Sequence, residues 1–532
     1  MTTATAKLVA HPGLRLAPLA LAALLLSAEC RAEWRFSPSV TVRETWTDNA
    51  SQQADDRARS QLITDLAPGF TLTENGRRLK LGMNAQYHVF GYTNDDPAAR
   101  QNLANNSYQY DAHGQLEAID ELLWVDANAS RQRTATSAFG PLADNLYSNN
   151  NRTDVSSWSI SPYLRHRFGT FADATLRFTR DSVQGGAAGF GDSMASTRTL
   201  LLARPGDHTF GWNFMATHQD LTDNSQLANG SFLHAKSSSE SEVAGIAYRM
   251  TRTLSLTADA GYDSFDYAPL TEGGSAQRTA GRRWSAGFMW QPSLRTDVRA
   301  SFGHRYFGKT GMLNASHRTR NTVWSLDYND DVSAMRSQFL LPVAFDTAAL
   351  LNRLLVTQIP DAVQRQQAVQ AYIAANGLPS SIAQPINYLS NRYIRGKRLQ
   401  GAMLWRMPKS SLTLSVFRDE RQALSLQTAD SLLLGTRESA LNDNVRDWGA
   451  NLALTHKLSG RTDVTAGIES LHVRSLVTNA TNYSRHMHAG LNHSFSRYTY
   501  GTIEVRQSHG GIGVNAPNFH ENAIVALYSV KY

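Results

Sequence analysis

The chain is nearly free of sulfur in its cysteine form and has no long apolar run. Its single cysteine among 532 residues is Cys30, so no disulfide framework can hold it together. No internal stretch of 18 apolar residues occurs, which excludes a bundle of membrane helices. It does not exclude a membrane barrel, whose strands turn only every second side chain to lipid. Positive charge is present, with a formal balance of +7, but it is scattered. Without a block of five or six basic residues, nucleic acid has no patch to bind. There is no Gly-x-Ser-x-Gly elbow and no phosphate-binding loop. The reading is therefore of a non-enzyme with no cofactor and no resident metal.

What is present starts with a leader. Residues 1–32 have a sparse basic n-region (Lys7, His11, Arg15), an apolar core from Leu16 to Leu26, and Cys30-Arg31-Ala32 before a cut at Glu33. That is the three-part plan of a secretory signal, too short in its core to span a bilayer. Cleavage after Ala28 is the second choice, and the Glu29 before Cys30 suits a lipoprotein signal poorly.

From Trp34 the sequence alternates. Trp34, Phe36, Pro38, Val40 and Val42 fall on one face and Arg35, Ser37, Ser39, Thr41 and Arg43 on the other. The same dyad repeat recurs in Leu79–Val89, in Phe210–Ala216, in Trp284–Trp290 and in Leu412–Val416. Short turns at 119–121, 169–171, 204–207, 251–253, 293–295, 408–410, 459–461 and 496–498 alternate with long Asn/Ser/Gly-rich connections at 135–152, 185–193, 221–238, 267–280, 421–445 and 510–520. Tight turns on one side and long loops on the other are the plan of a transmembrane barrel. A soluble sandwich has no need of that asymmetry. Residues 33–532 are thus expected to form an all-β, antiparallel transmembrane β-barrel of about 22 strands, between roughly 20 and 24, with Val332–Val343 supplying the last of them. Over 346–377 the period changes to 3.6, with Leu350, Leu351, Leu354 and Leu355 on one face and Pro360 opening a second helix. A helical insertion in the lumen or across a mouth is expected there.

The chain ends on an amphipathic strand. Ile524, Ala526, Tyr528, Val530 and Tyr532 share a face up to the carboxylate. This resembles the closing strand that the outer-membrane barrel-assembly machinery recognises, and it should pair with Trp34–Trp46.

Opposite the lipid stripes lie the charges expected to line the lumen: Arg165, Arg167, Asp173, Arg177, Asp259, Asp297, Arg299, Arg305, Glu469, Glu504 and Arg506. They would either set the selectivity of a channel or form ion pairs that solvate the interior. His486 and His488 share a strand face and could hold a metal with a third ligand, but two polar residues facing water are the plainer reading. Asp48-Asn49, Asp223-Asn224 and Asp443-Asn444 could offer oxygens to Ca²⁺ in loops, and are equally what tight turns require.

The stretch Val42-Arg43-Glu44-Thr45-Trp46-Thr47-Asp48-Asn49, with Leu389-Ser390-Asn391-Arg392-Tyr393 and Phe417-Arg418-Asp419-Glu420-Arg421, resembles a family. The family is the outer-membrane β-barrel proteins encoded with exosortase/PEP-CTERM and exopolysaccharide systems of Gram-negative bacteria. The resemblance implies a porin-like channel or secretion component for exopolysaccharide. Its partners would be outer-membrane lipids and lipopolysaccharide, the assembly machinery, exopolysaccharide and polysaccharide-export proteins. It brings no functional residues with it. The alternative is a non-conducting barrel whose loops present or bind polysaccharide or a partner protein. A TonB-dependent receptor is not expected, because alternation begins at Trp34 with no plug-sized segment ahead of it.

Overall fold

The computed structural model describes residues 34–141, 145–185, 192–204, 208–226, 232–267, 277–334, 393–424, 444–513 and 516–531. Within them the chain forms 22 strands. The first six are β1 (Arg35–Thr47), β2 (Gln61–Asn75), β3 (Leu79–Tyr92), β4 (Asn106–Ile119), β5 (Leu123–Ala135) and β6 (Arg152–Phe168). Next come β7 (Ala172–Gly185), β8 (Asp192–Ala203), β9 (Phe210–Gln226), β10 (Phe232–Arg249), β11 (Leu254–Tyr267) and β12 (Gln277–Ser293). They are followed by β13 (Thr296–Arg305), β14 (Gly308–Arg318), β15 (Thr322–Ala334), β16 (Tyr393–Arg406) and β17 (Ser410–Ala423). The last five are β18 (Val445–Lys457), β19 (Thr462–Ser475), β20 (Thr481–Ser494), β21 (Thr499–Gly511) and β22 (Asn518–Lys531). Each strand pairs antiparallel with the next, and β22 returns to β1, so the sheet closes on itself as a 22-stranded barrel. Closure leaves no edge strand whose amides would have to face lipid unpaired.

Alternation decides which face is which. On β17, Leu414 and Val416 are exposed while Thr413 and Ser415 are buried; on β22, Ile524, Ala526 and Tyr528 are exposed while Ala523 and Val525 are buried. A continuous exposed band of Leu, Ile, Val, Phe and Trp around the ring is tolerable only against lipid, so the opposite face is the lumen.

The seam carries the expected pairing: Trp46 faces Ile524, Val42 faces Tyr528, and Val40 faces Val530. On the inner side the Thr41 and Ser529 hydroxyls lie 2.8 Å apart. Tyr532 lies outside the described residues. Its place in the terminal stripe nevertheless gives a test. Tyr532→Ser should slow assembly into membranes, read as the heat-modifiable folded fraction, while Tyr500→Ser leaves it near wild type. Equal assembly of the two would remove the terminal strand's special role.

Proline cannot donate to a ladder, and this chain puts its strand prolines at the breaks. Pro38 lies just past the last β1–β22 pair, Ser39 with Lys531. Pro68 falls where β2–β3 pairing skips from Leu66 to Gly69, and Pro162 where β6–β7 pairing skips from Ile160 to Tyr163. Pro292 sits in the β12–β13 irregularity between Trp290 and Ser293.

One end of the barrel has the short connections, among them 76–78, 120–122, 169–171, 294–295, 407–409 and 495–498. Gly169 takes φ +54° in the third turn of that set to reverse β6 into β7, a conformation other residues rarely adopt. The other end carries the long connections 48–60, 93–105 and 136–151, but also a two-residue link at 306–307. One expectation changes. The connection expected at 221–238 is mostly strand, because β9 runs on to Gln226 and β10 starts at Phe232. Of the strand expected over Val332–Val343, Val332–Ala334 finish β15 and the rest lies outside the described residues. The helical insertion expected over 346–377 and the leader 1–32 also lie outside them.

Candidate functional site

Every charged residue expected in the lumen and described here falls on the inner alternation. They do not form one constellation. Near the short-turn mouth Arg167 grips Asp173 with Nε and Nη2, at 2.7 and 3.1 Å, and Arg165 is exposed beside them. Arg177 donates to Asp126 at 2.9 Å and lies 4.0 Å over the Tyr163 ring. Tyr163 in turn stacks on Trp124. Arg299 bonds Asp297 at 3.1 Å, and Ser285 donates to Asp259 at 2.6 Å. Glu469 sits in register between Asn451 and His486, and Glu504 between Gly490 and Val525.

Higher on the wall the pairs become buried. Asp263 is fully buried and accepts from Ser241 at 2.8 Å, Arg305 at 2.8 Å and Arg283 at 3.4 Å. Arg305 reaches the other way to Asp331 on β15. A buried carboxylate is tolerated only with such partners, so this girdle fixes the wall of β10–β15.

His486 is not poised for a metal. Its Nε2 lies 2.7 Å from the Ser484 hydroxyl and its Nδ1 3.0 Å from that of Ser508. Among the described residues no three His, Cys, Asp or Glu side chains cluster as ligands. Asp48 and Asn49 serve the loop: Asp48 accepts from the Asn522 amide and side chain, both at 2.8 Å, and Asn49 accepts from the Gln53 amide at 3.0 Å. Asn444 accepts from the Ala423 amide; Asp443 and the Asp223 and Asn224 side chains lie outside the described residues.

The feature that composition does not announce is the loop 136–151. At the long-loop end its described parts, 136–141 and 145–151, fold inside the ring. Ala104 N–H donates to the Tyr147 carbonyl at 2.7 Å and Asn149 N–H to Asn102 at 2.6 Å, tying it to the loop 93–105. Asn150 donates to the Ser51 carbonyl at 3.1 Å, tying it to the loop 48–60. Tyr147 then packs with Ala50, Ile63, Phe90 and Ala104. Its hydroxyl donates to Glu521 on β22 at 3.3 Å and accepts from Arg506 at 2.8 Å. Glu521, only 1% exposed, also accepts from Thr47 and Gln52 at 3.0 Å each. Burial beside that carboxylate pushes the Tyr147 phenol well above its ordinary range and keeps it protonated.

The same loop reaches across. Ala138 and Phe139 are buried against Ile394, Val445, Leu471 and Val473 of β16, β18 and β19. Asn482 on β20 donates to the Ala138 and Gly140 carbonyls. In a ring of 22 strands β16 lies half-way round from β5. The loop is thus pinned to two well-separated arcs of the inner wall and obstructs the mouth.

Glu521, Tyr147, Asp263 and Asp331 were not singled out from the sequence. Glu521 had one available signal: it is an acid on the inner side of a strand whose next inner residues are Ala523, Val525 and Leu527.

The fold and wall define an outer-membrane β-barrel. No family model and no curated protein matches the sequence. Among solved structures the chain is similar to the FrpB iron transporter from Neisseria meningitidis. The F5-1 variant aligns with a TM-score of 0.51 at 8% identity, over 93% of this chain and 82% of that one. The F3-3 variant gives the same figures. BauA, the ferric preacinetobactin receptor from Acinetobacter baumannii, aligns at 0.50 and 9% identity, over 93% and 80%. At such identity the likeness is one of barrel fold.

Proposed function

We propose that this barrel is a passive conduit for hydrophilic cargo across the outer membrane, narrowed at its long-loop mouth by residues 136–141 and 145–151. The observation that carries the reading is that loop: it crosses inside the ring, above a polar wall whose charges are paired along the sheet. A hydrated lumen with a constriction is what a channel needs to admit polar solutes and reject large ones. Exopolysaccharide or its oligosaccharides is the cargo class implied by the resemblance of 42–49 and 389–421, and secretion is the direction that goes with it. Iron complexes are the cargo named for the similar barrels, but fold at this identity carries no ligand.

The pinning of the loop also favours a second reading, a closed barrel that presents its surface and does not conduct. Planar-bilayer recording separates them. Refolded protein should give small channels, and replacing 137–150 by a short Gly-Ser link should enlarge them and admit neutral oligosaccharides in liposome swelling. If the loop-deleted, folded protein passes neither ions nor sugars, the conduit reading fails and the presentation reading stands.

A further inference from the structure

We propose that the outer face of β17–β20, just beyond the apolar band at the long-loop end, binds the phosphorylated sugar headgroup of an outer-leaflet glycolipid. The inference rests on the barrel and its membrane orientation, not on conduction.

Each of these strands turns apolar side chains outward and then changes character. On β17 the run Leu412, Leu414, Val416 gives way to Arg418, and on β18 Leu454, Leu452, Ala450 gives way to Trp448. The register sets Arg418, Trp448, His472 and Tyr483 directly opposite one another across four neighbouring strands. Trp448 and His472 lie nearly parallel, 9° apart with centroids at 5.4 Å, and His472 to Tyr483 is 6.4 Å at 27°. The result is a flat aromatic row at the height where interfacial rings gather.

Arginines surround the row. Arg474 sits one alternation above His472, and Arg485 one below Tyr483. Among the described residues the only carboxylate on this outer face is Glu420, and it is engaged by Arg446 at 2.7 Å and Lys397 at 3.8 Å. Among the described residues Arg418, Arg474 and Arg485 form no ion pair; Arg474 makes one hydrogen bond, to the Asn479 side-chain oxygen at 2.9 Å. Elsewhere on the outer face the balance differs. His218 is held between Glu240 at 2.9 Å and Asp220 at 3.1 Å, with Arg198 opposite it in register.

Unpaired guanidinium groups suit phosphate, which they can grip with two parallel hydrogen bonds. Flat rings suit the faces of sugar rings. In a membrane the exposed apolar band directly below faces acyl chains. A phosphorylated glucosamine lipid supplies all three chemistries, and a soluble anion supplies one.

The test uses full-length protein refolded in detergent, with folding checked by heat-modifiable migration and bisphosphorylated lipid A titrated against intrinsic fluorescence. The R418Q/R474Q/R485Q variant should bind about a hundredfold more weakly than wild type, and R198Q should bind unchanged. Wild type should bind dephosphorylated lipid A as weakly as the triple variant binds the intact lipid. Should the triple variant not fold, R474Q alone should lose about fivefold. Equal binding by wild type and a folded variant overturns the site, as does indifference to the lipid's phosphates. Displacement of lipid A by an equal concentration of inorganic phosphate would make it a soluble-anion site and also overturn it. None of these outcomes bears on conductance, so the site can fail while the conduit reading holds.

Discussion

Replacing Glu521 by alanine should release the loop from the β22 wall and lower stability together. The carboxylate accepts from Tyr147, Thr47 and Gln52 and faces Arg506 at 3.9 Å. Its removal leaves a buried phenol, hydroxyl and amide without their acceptor and takes the counter-charge away from Arg506. Removing one partner of a buried ionic cluster costs about 3–5 kcal/mol. A neutral hydrogen bond is worth only about 0.5–1.5 kcal/mol net, so Tyr147→Phe, which keeps the ring packed on Phe90 and Ala104, should lose far less. Urea unfolding in lipid vesicles reads the stability, and single-channel conductance reads the loop. The conductance of Glu521→Ala should approach that of the loop-deleted barrel. Wild-type values for both quantities in Glu521→Ala would show that the loop is held elsewhere, with the Phe139 contacts on β16–β19 the place to look next.

A second large effect is expected on the lipid face. Ile468 projects from the middle of β19 between Ala466 and Ser470 on the outward alternation. An arginine there should destabilise the barrel by about 2–4 kcal/mol, the depth-dependent cost of charge on a lipid-facing strand. Gln219→Arg, on the inner alternation of β9 and bonded to Thr197, keeps its charge in water and should stay within about 1 kcal/mol of wild type. Equal losses at the two positions, measured by the same vesicle unfolding, would mean that the faces have been assigned the wrong way round.

Much of the barrel is legible in the residues because its governing pattern is local. A strand exposes alternate side chains to two media, so Val40, Val42, Leu414, Val416 and Tyr528 declare the lipid face within a few positions of each other. The same alternation puts Arg177, Asp259, Arg305 and Arg506 on the inner wall without any knowledge of their neighbours. Closure between β1 and β22 follows from the cost of an open edge in lipid.

What could not be read is whatever depends on partners distant in sequence. Arg506 meets Tyr147 across 359 residues, and Arg305 meets Asp263 across 42. The polar loop 136–151 has the texture of any surface connection, and only Tyr147 and Phe139 hint at burial. The row Arg418–Trp448–His472–Tyr483 exists only once four strand registers are set, since a slip of one residue would turn a member inward. By itself, then, the sequence determined a barrel, its two faces and its two unlike ends, because a period of two is fixed by chain geometry. The obstructed mouth, the buried charge girdle and the outer arginine–aromatic row were decided by tertiary structure, which alone sets which distant side chains share a dehydrated space.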